Sequence, residues 1–333
     1  MSYAVPATIA RSKTMKILKF LALCVLAILT FALILLYEVD IPADVVDAKY
    51  SSPSSLFVTL ENETRVHYRD EGNRRGKSIV LLHGFGSSLH TWSAWVELLG
   101  DEFRFISLDL PAHGLTGAVP NGDYSTTAFV DTVKLLVDHL GLTSFTIGGN
   151  SMGGSVAWRF ALTYPKSVES IILVNADGIN KWPNPSKQPL VFNLLKKEWF
   201  RSIGSILDPY YLVSQAVDLA YNNSTIVNDE MILRYYHMIM REGSREAIIT
   251  RSSSSSKYVY TEADLKTLTH PTLILWGQDD AIIDASIASK FDETLKNSKL
   301  VIYKETGHVP MEEIPETSAK DVRNFLRNLS ANL

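Results

Sequence analysis

Gly148-Gly149-Asn150-Ser151-Met152-Gly153-Gly154 is the stretch on which the reading of this chain turns. It contains a G-x-S-x-G pattern, preceded by the short apolar run Phe145–Ile147 and followed by helix-like sequence from Ser155 to Tyr164. A strand that turns sharply into a helix holds the central serine in a strained conformation. Glycine is then needed two residues to either side, where a side chain would collide with neighbouring backbone. Ser151 would sit at the helix N-terminus, whose partial positive charge favours a developing anion. A glycine-rich turn that merely packs strand against helix is the structural alternative, so the flanking sequence has to decide.

Outward from this stretch, short apolar runs recur at Ile79–Leu82, Phe103–Leu108, Ile171–Val174, Leu273–Leu275 and Leu300–Tyr303. Runs without alternation suit strands covered on both faces, as in a parallel sheet. Leu56–Leu60 and Arg65–Asp70, joined by a short polar turn, read as an antiparallel hairpin ahead of them. Between the runs lie helix-length stretches. In one, Ser125 or Thr126 is a candidate cap, Phe129, Val133, Leu136, Val137 and Leu140 recur at spacings of three and four, and Gly141 ends the pattern. The alternation breaks from 179 to 262. That interval has no clear strand and carries aromatic residues from Trp182 to Tyr236, and it is too long for a loop, so it reads as an inserted helical cap. Its serine tract, Ser252–Ser256, reads as a connector.

A serine hydroxyl needs a base, and imidazole has a suitable pKa near 6.5. In the chain order serine, acid, histidine, the base must follow Ser151 with an acid between them. Of the eight histidines, His308 fits best, in a loop just past the run Leu300–Tyr303. The acid would come from Trp276-Gly277-Gln278-Asp279-Asp280, again at a strand end, and spacing alone leaves Asp279 and Asp280 open. Carbonyl attack by Ser151 forms an oxyanion that needs two donors. The Met152 amide would be one, and the Phe85 amide of His83-Gly84-Phe85-Gly86 the other.

Five segments in order, LLHGFG (81–86), DLPAHG (109–114), GGNSMGG (148–154), LWGQDD (275–280) and TGHVPMEEIPE (306–316), resemble the α/β-hydrolase family. The resemblance covers Leu56–Leu333. It implies a mostly parallel eight-stranded sheet with helices on both faces and a cap, divided as core 56–178, cap 179–262 and core 263–333. It also selects Asp280 over Asp279, because the family places its acid three residues after the glycine of W-G-x-x-D. A serine at 151 separates the chain from members whose elbow carries aspartate. Ala112 departs from the family, many members having glycine there. Within the family, the chain is similar to anchored monoacylglycerol lipases and to bacterial lipases and esterases. The same elbow also occurs in hydrolases of carbon–carbon bonds in ring-fission products.

The N-terminus reads separately. Residues 1–37 hold Arg11, Lys13, Lys16 and Lys19 and no acid, whereas the remainder has 28 basic and 36 acidic residues. The uncharged run Phe20–Tyr37 would form a helix of roughly 27 Å, enough to span a bilayer core of about 30 Å. The expected layout is a cytoplasmic segment 1–16, a signal-anchor helix 17–37 and a linker 38–55. The excess of Lys and Arg before the helix places the bulk of the chain on the non-cytoplasmic side. A cleaved signal peptide, releasing a secreted enzyme, is the competing reading. An apolar content of 46% and a single cysteine exclude disordered and disulfide-framed classes, and a net charge of -4 offers no footprint for nucleic acid. The expected function is serine carboxylic ester hydrolysis of an acyl ester or lipid at a membrane, with no metal or cofactor implied. Carbon–carbon hydrolysis and a non-catalytic binding module are the alternatives.

Overall fold

The apolar runs become strands β1 (Ser55–Thr59), β2 (Arg65–Gly72), β3 (Ser78–Leu82), β4 (Arg104–Leu108), β5 (Phe145–Asn150), β6 (Val168–Val174), β7 (Thr272–Gly277) and β8 (Ser298–Tyr303). They form one sheet in the order β1-β2-β4-β3-β5-β6-β7-β8. The β1/β2 and β2/β4 pairs are antiparallel and the pairs from β4 onward are parallel. This computed structural model describes residues 7–178, 189–223, 225–254 and 261–331. The described chain divides into two compact units, 1–39 with 206–208, and 40–205 with 209–333.

Why the strands read as unbroken apolar runs is visible in the second unit. On β3, Val80 and Leu82 point into one core with Phe129, Val133 and Leu136 of α4 (Thr126–His139), Val156 and Phe160 of α5 (Met152–Thr163), and Phe291 of α12 (Ser286–Thr294). Ile79 and Leu81 point the other way, against Trp95 and Leu99 of α3 (Ser93–Leu99) and Val322 and Phe325 of α14 (Pro315–Ala331). Both pleat faces are therefore covered, and neither can be polar. Ser125 caps α4 by accepting the Ala128 amide at 3.2 Å, and Gly141 takes the left-handed conformation just beyond its end.

Between β6 and β7 the described residues carry only helices: α6 (Leu190–Leu195), α7 (Glu198–Ile203), α8 (Tyr210–Ala220), α9 (Asp229–Met240), α10 (Ser244–Ser253) and α11 (Glu262–Leu265). Residues 179–188, with Trp182, and 255–260, with the end of the serine tract, lie outside the described residues. The tract's beginning is helical, since α10 runs to Ser253.

The stretch 38–55, expected as a linker, differs from that expectation. It carries α2 (Ala43–Tyr50) and is held by ion pairs to the cap. Asp40 accepts from Arg245 Nε at 2.6 Å, Asp47 accepts from Arg241 Nε at 2.8 Å and from Arg65 at 3.0 Å, and Ile41 pairs with the backbone of Met240 and Glu242. The cap partners lie about 200 positions away in sequence, so no local pattern announces the helix.

The first unit contains α1 (Ala7–Leu36), whose segment Met15–Leu36 is long and apolar enough to cross a membrane. Beyond it, Tyr37 bridges to Leu207, and the Glu38 amide donates to Ile206 O at 3.0 Å.

Candidate active site

The elbow is built by close approach. A Cβ on Gly149 would lie 2.2 Å from the Gly153 carbonyl carbon, and one on Gly153 would lie 2.2 Å from Leu82 O. Only glycine lets α5 start against β3 and β5 at this distance. Ser151 itself stands at φ 53°, ψ -117°, a strained conformation for a residue with a side chain, and its amide is tied to Val174 O at 3.0 Å. The rest of the turn is held by the Ser155 and Asp177 amides, which donate to Ser151 O at 3.1 and 3.0 Å.

Two strands along, β7 and β8 bring the acid and the histidine together. His308 Nδ1 donates to Asp280 Oδ2 at 2.7 Å. The same carboxylate takes three more donors: Asn175 Nδ2 at 2.7 Å on Oδ2, and the Ile282 and Ile283 amides at 2.7 and 2.9 Å on Oδ1. Asp280 is buried at 8% exposure, whereas its neighbour Asp279 is exposed, so the pair left open by spacing is separated by burial. The main chain of His308 is gripped from two sides. Its amide donates to Ala220 O of α8 at 2.7 Å, and its carbonyl accepts from Asn150 Nδ2 at 3.0 Å.

The loop 83–89 supplies the third part. Ser87 N donates to Gly84 O, closing a turn whose central residues are Phe85 and Gly86, the latter at φ 72°. In such a turn the Phe85 amide is not consumed by the turn's own bond, just as the Met152 amide, at the first position of α5, has no partner within its helix. His83 braces this loop: Nδ1 donates to Gly84 O at 2.7 Å and Nε2 accepts the Leu110 amide at 2.9 Å. Accepting the Leu110 amide requires an unprotonated Nε2, hence the neutral ring, and burial pushes its pKa below the ordinary 6.5. Asp109 anchors the loop's far end through the Leu89 amide, 2.7 Å, and also binds His67 Nδ1, 2.7 Å, and the Leu115 amide, 2.8 Å. Burial alone would raise the Asp109 pKa, but His67 and these donors outweigh it and hold it below the usual carboxylate range.

Ser151, His308 and Phe85 line one cavity. Its walls come from the 84–87 loop, the elbow and the cap, and they are mostly aliphatic or aromatic, including Phe192, Phe200, Val213, Val217 and Ile248. Arg245 is a cation on this wall, and Asp40 holds it. The structure thus brings Ser151, Asp280, His308, Phe85 and Met152 to the C-terminal ends of β3, β5, β7 and β8, where open α/β sheets gather their ligands.

Asn150, Asn175, His83 and Asp109 are further site residues that sequence reasoning did not assign. A signal existed for Asn175 in hindsight: it immediately follows β6, which lies between the serine strand and the acid strand. Ala112 has φ 72°, which gives a reason for the glycine many family members carry there.

The family profile described as "alpha/beta hydrolase fold" matches residues 77–205, and one described as "TAP-like protein" matches 250–332. The chain belongs to the α/β-hydrolase superfamily. This hydrolase is similar to Lipase 3 of Moraxella sp. (strain TA144), at 24% identity over 277 residues, which span 80% of this chain and 83% of that protein. Among solved structures it is similar to a thermophilic esterase from Thermogutta terrifontis, with 28% identity, a TM-score of 0.66 and coverage of 83% and 98%. A variant of the meta-cleavage product hydrolase CumD from Pseudomonas fluorescens IP01 shares the fold, with a TM-score of 0.69, 23% identity and coverage of 82% and 97%.

Proposed function

We propose that this hydrolase is a serine carboxylic ester hydrolase acting on acyl esters with an extended apolar acyl chain. The observation that carries the reading is the apolar cavity onto which Ser151 and His308 both open, with His308 fixed against Asp280 at 2.7 Å. His308 takes the Ser151 proton as Oγ attacks the ester carbonyl, and Asp280 keeps the ring in the tautomer that can accept it. The Phe85 and Met152 amides receive the oxyanion, and collapse expels the alcohol with the proton His308 had taken. Water, deprotonated by the same ring, then releases the acid from the acyl-enzyme. Lipase and esterase relatives support the ester reading. A carbon–carbon hydrolase reading, of which CumD is a reminder, would have to seat a polar diketone. The cavity is poor in polar groups, and Asp40 already holds its Arg245.

A chain-length series of nitrophenyl esters tests the proposal. Ser151→Ala is expected to lower kcat by about 10⁴- to 10⁶-fold. Activity equal to wild type in that variant would overturn the nucleophile assignment.

The segment Met15–Leu36 serves in this proposal as a membrane anchor, with the basic N-terminus cytoplasmic and the hydrolase unit on the far side. In sealed vesicles of known orientation, protease added from the non-cytoplasmic face should digest the hydrolase unit. Digestion only from the cytoplasmic face would reverse the topology, and release of a soluble enzyme shortened at its N-terminus would favour a signal peptide.

A further inference from the structure

A buried carboxylate joins the cap helix that walls the cavity to the loop that carries His308. Leu212, Val213, Ala216, Val217 and Ala220 of α8 face the cavity at one-turn spacing. At the helix's end, Ala220 O accepts the His308 amide at 2.7 Å. The residues just after it reach Glu313, at the end of α13 (Pro310–Glu313) and only 8% exposed. Glu313 Oε1 accepts the Asn223 amide at 2.8 Å, while Oε2 accepts the Gly307 amide at 2.7 Å and the Asn222 amide at 3.4 Å. One carboxylate therefore ties the backbone beside His308 to the chain leaving α8. The two segments are in direct contact: a Cβ on Gly307 would stand 2.6 Å from both Ala220 O and Asn222 N. No slack remains between them, so a shift of α8 is passed to the His308 main chain.

We infer that Glu313 is a positioning residue that couples occupancy of the apolar cavity to the placement of His308. An acyl chain lying along the α8 face fixes that helix, and the Ala220 and Glu313 bonds then hold His308 where it can take the Ser151 proton. Chain length thereby acts on the rate of the chemical steps as well as on binding, with remote contacts serving the reacting centre. This inference rests on the ester-hydrolase reading of the site.

Glu313→Gln fills the same space but presents one oxygen, so its amide nitrogen confronts a main-chain N–H on one side and either the Asn223 bond or the Gly307 bond is lost, which weakens the tie. Saturation kinetics with nitrophenyl acetate through decanoate are expected to show wild-type kcat rising about ten-fold with length, whereas Glu313→Gln stays level within about two-fold. KM should fall with length equally in both, because the α8 face is untouched. Loss of kcat by one factor at every length, or a length-independent kcat in the wild type, would overturn the coupling. Amide hydrogen exchange reads the same tie without turnover. Decanoic acid should protect the segment 303–310 in the wild type and not in Glu313→Gln, and equal protection, or none in the wild type, would refute it. Wild type that hydrolyses no ester while the exchange difference persists would refute the ester reading alone. If Glu313→Gln does not fold, Glu313→Asp, one methylene short of the Gly307 and Asn223 amides, is expected to give the same levelled kcat. A wild-type length dependence in Glu313→Asp would count against the tie.

Discussion

At the scale of single residues, environment rather than residue type assigns roles. Asp279 and Asp280 are neighbours with the same chemistry, yet one is exposed and the other is buried under four donors that include the His308 ring. Asp280→Asn is expected to lower kcat/KM by about 10²- to 10⁴-fold, because an amide in that place can offer His308 Nδ1 an N–H and favour the wrong tautomer. Asp279→Asn should stay within about two-fold of wild type on the same ester, since its carboxylate faces solvent. A reversal of this order in steady-state assays would move the acid by one position. Of this geometry the sequence exposed the candidates, through order and strand ends. It left the choice between the two aspartates to family resemblance, because burial of a loop carboxylate depends on what packs over it.

At the scale of elements, the elbow and the α2 strap stand at opposite ends of legibility. The elbow is local: strand, glycines and helix lie within about twenty consecutive residues, and the pattern glycines Gly149 and Gly153 answer contacts within that stretch and with the end of β3. The strap is not. Asp47 binds Arg241 Nε and Nη2 at 2.8 and 3.2 Å and also Arg65, and Arg241 is only 7% exposed. Removing the carboxylate leaves a buried guanidinium short of its counter-charge. Asp47→Ala is therefore expected to cost about 3 kcal/mol in chemical denaturation. Asp44→Ala, on the exposed side of the same helix, should cost less than about 1 kcal/mol, the value of a carboxylate in a first helical turn. Equal costs would mean that the strap contributes through helix formation and not through its ion pairs.

At the scale of the whole molecule, buried histidines set how the fold responds to acid. Burial, followed by the neighbouring His83, lowers the pKa of His113 from 6.5 to about 3. Burial and Arg69 lower that of His90 to about 4. His83 is also lowered, by burial. Each ring binds fewer protons folded than unfolded between its folded pKa and 6.5, so stability is complete above about pH 6.5 and falls as the pH drops below it. Each contributes a slope of about 1.4 kcal/mol per pH unit in that window. Asp109, whose pKa is lowered, adds its loss only below the ordinary carboxylate value of 3.8. Urea midpoints should therefore decline steadily from pH 6.5 to 5, and more gently in His113→Asn. A flat profile over that range would show that these rings protonate freely in the folded protein.

What the sequence by itself determined is whatever short-range chemistry enforces. Apolar runs without alternation demand a sheet covered on both faces. Glycines around Ser151 demand a tight strand-to-helix turn, and the uncharged run from Phe20 demands an apolar surrounding. Tertiary structure alone decided the pairings across long separations. These are the Asn175 donor on Asp280, the grip of Ala220 and Asn150 on His308, and the clasp of Asp40 and Asp47 on cap arginines. The physical reason is that a hydrogen bond or ion pair depends on distance and burial in space. Neither is written in the residues on one side of the contact until the sheet has brought both sides together.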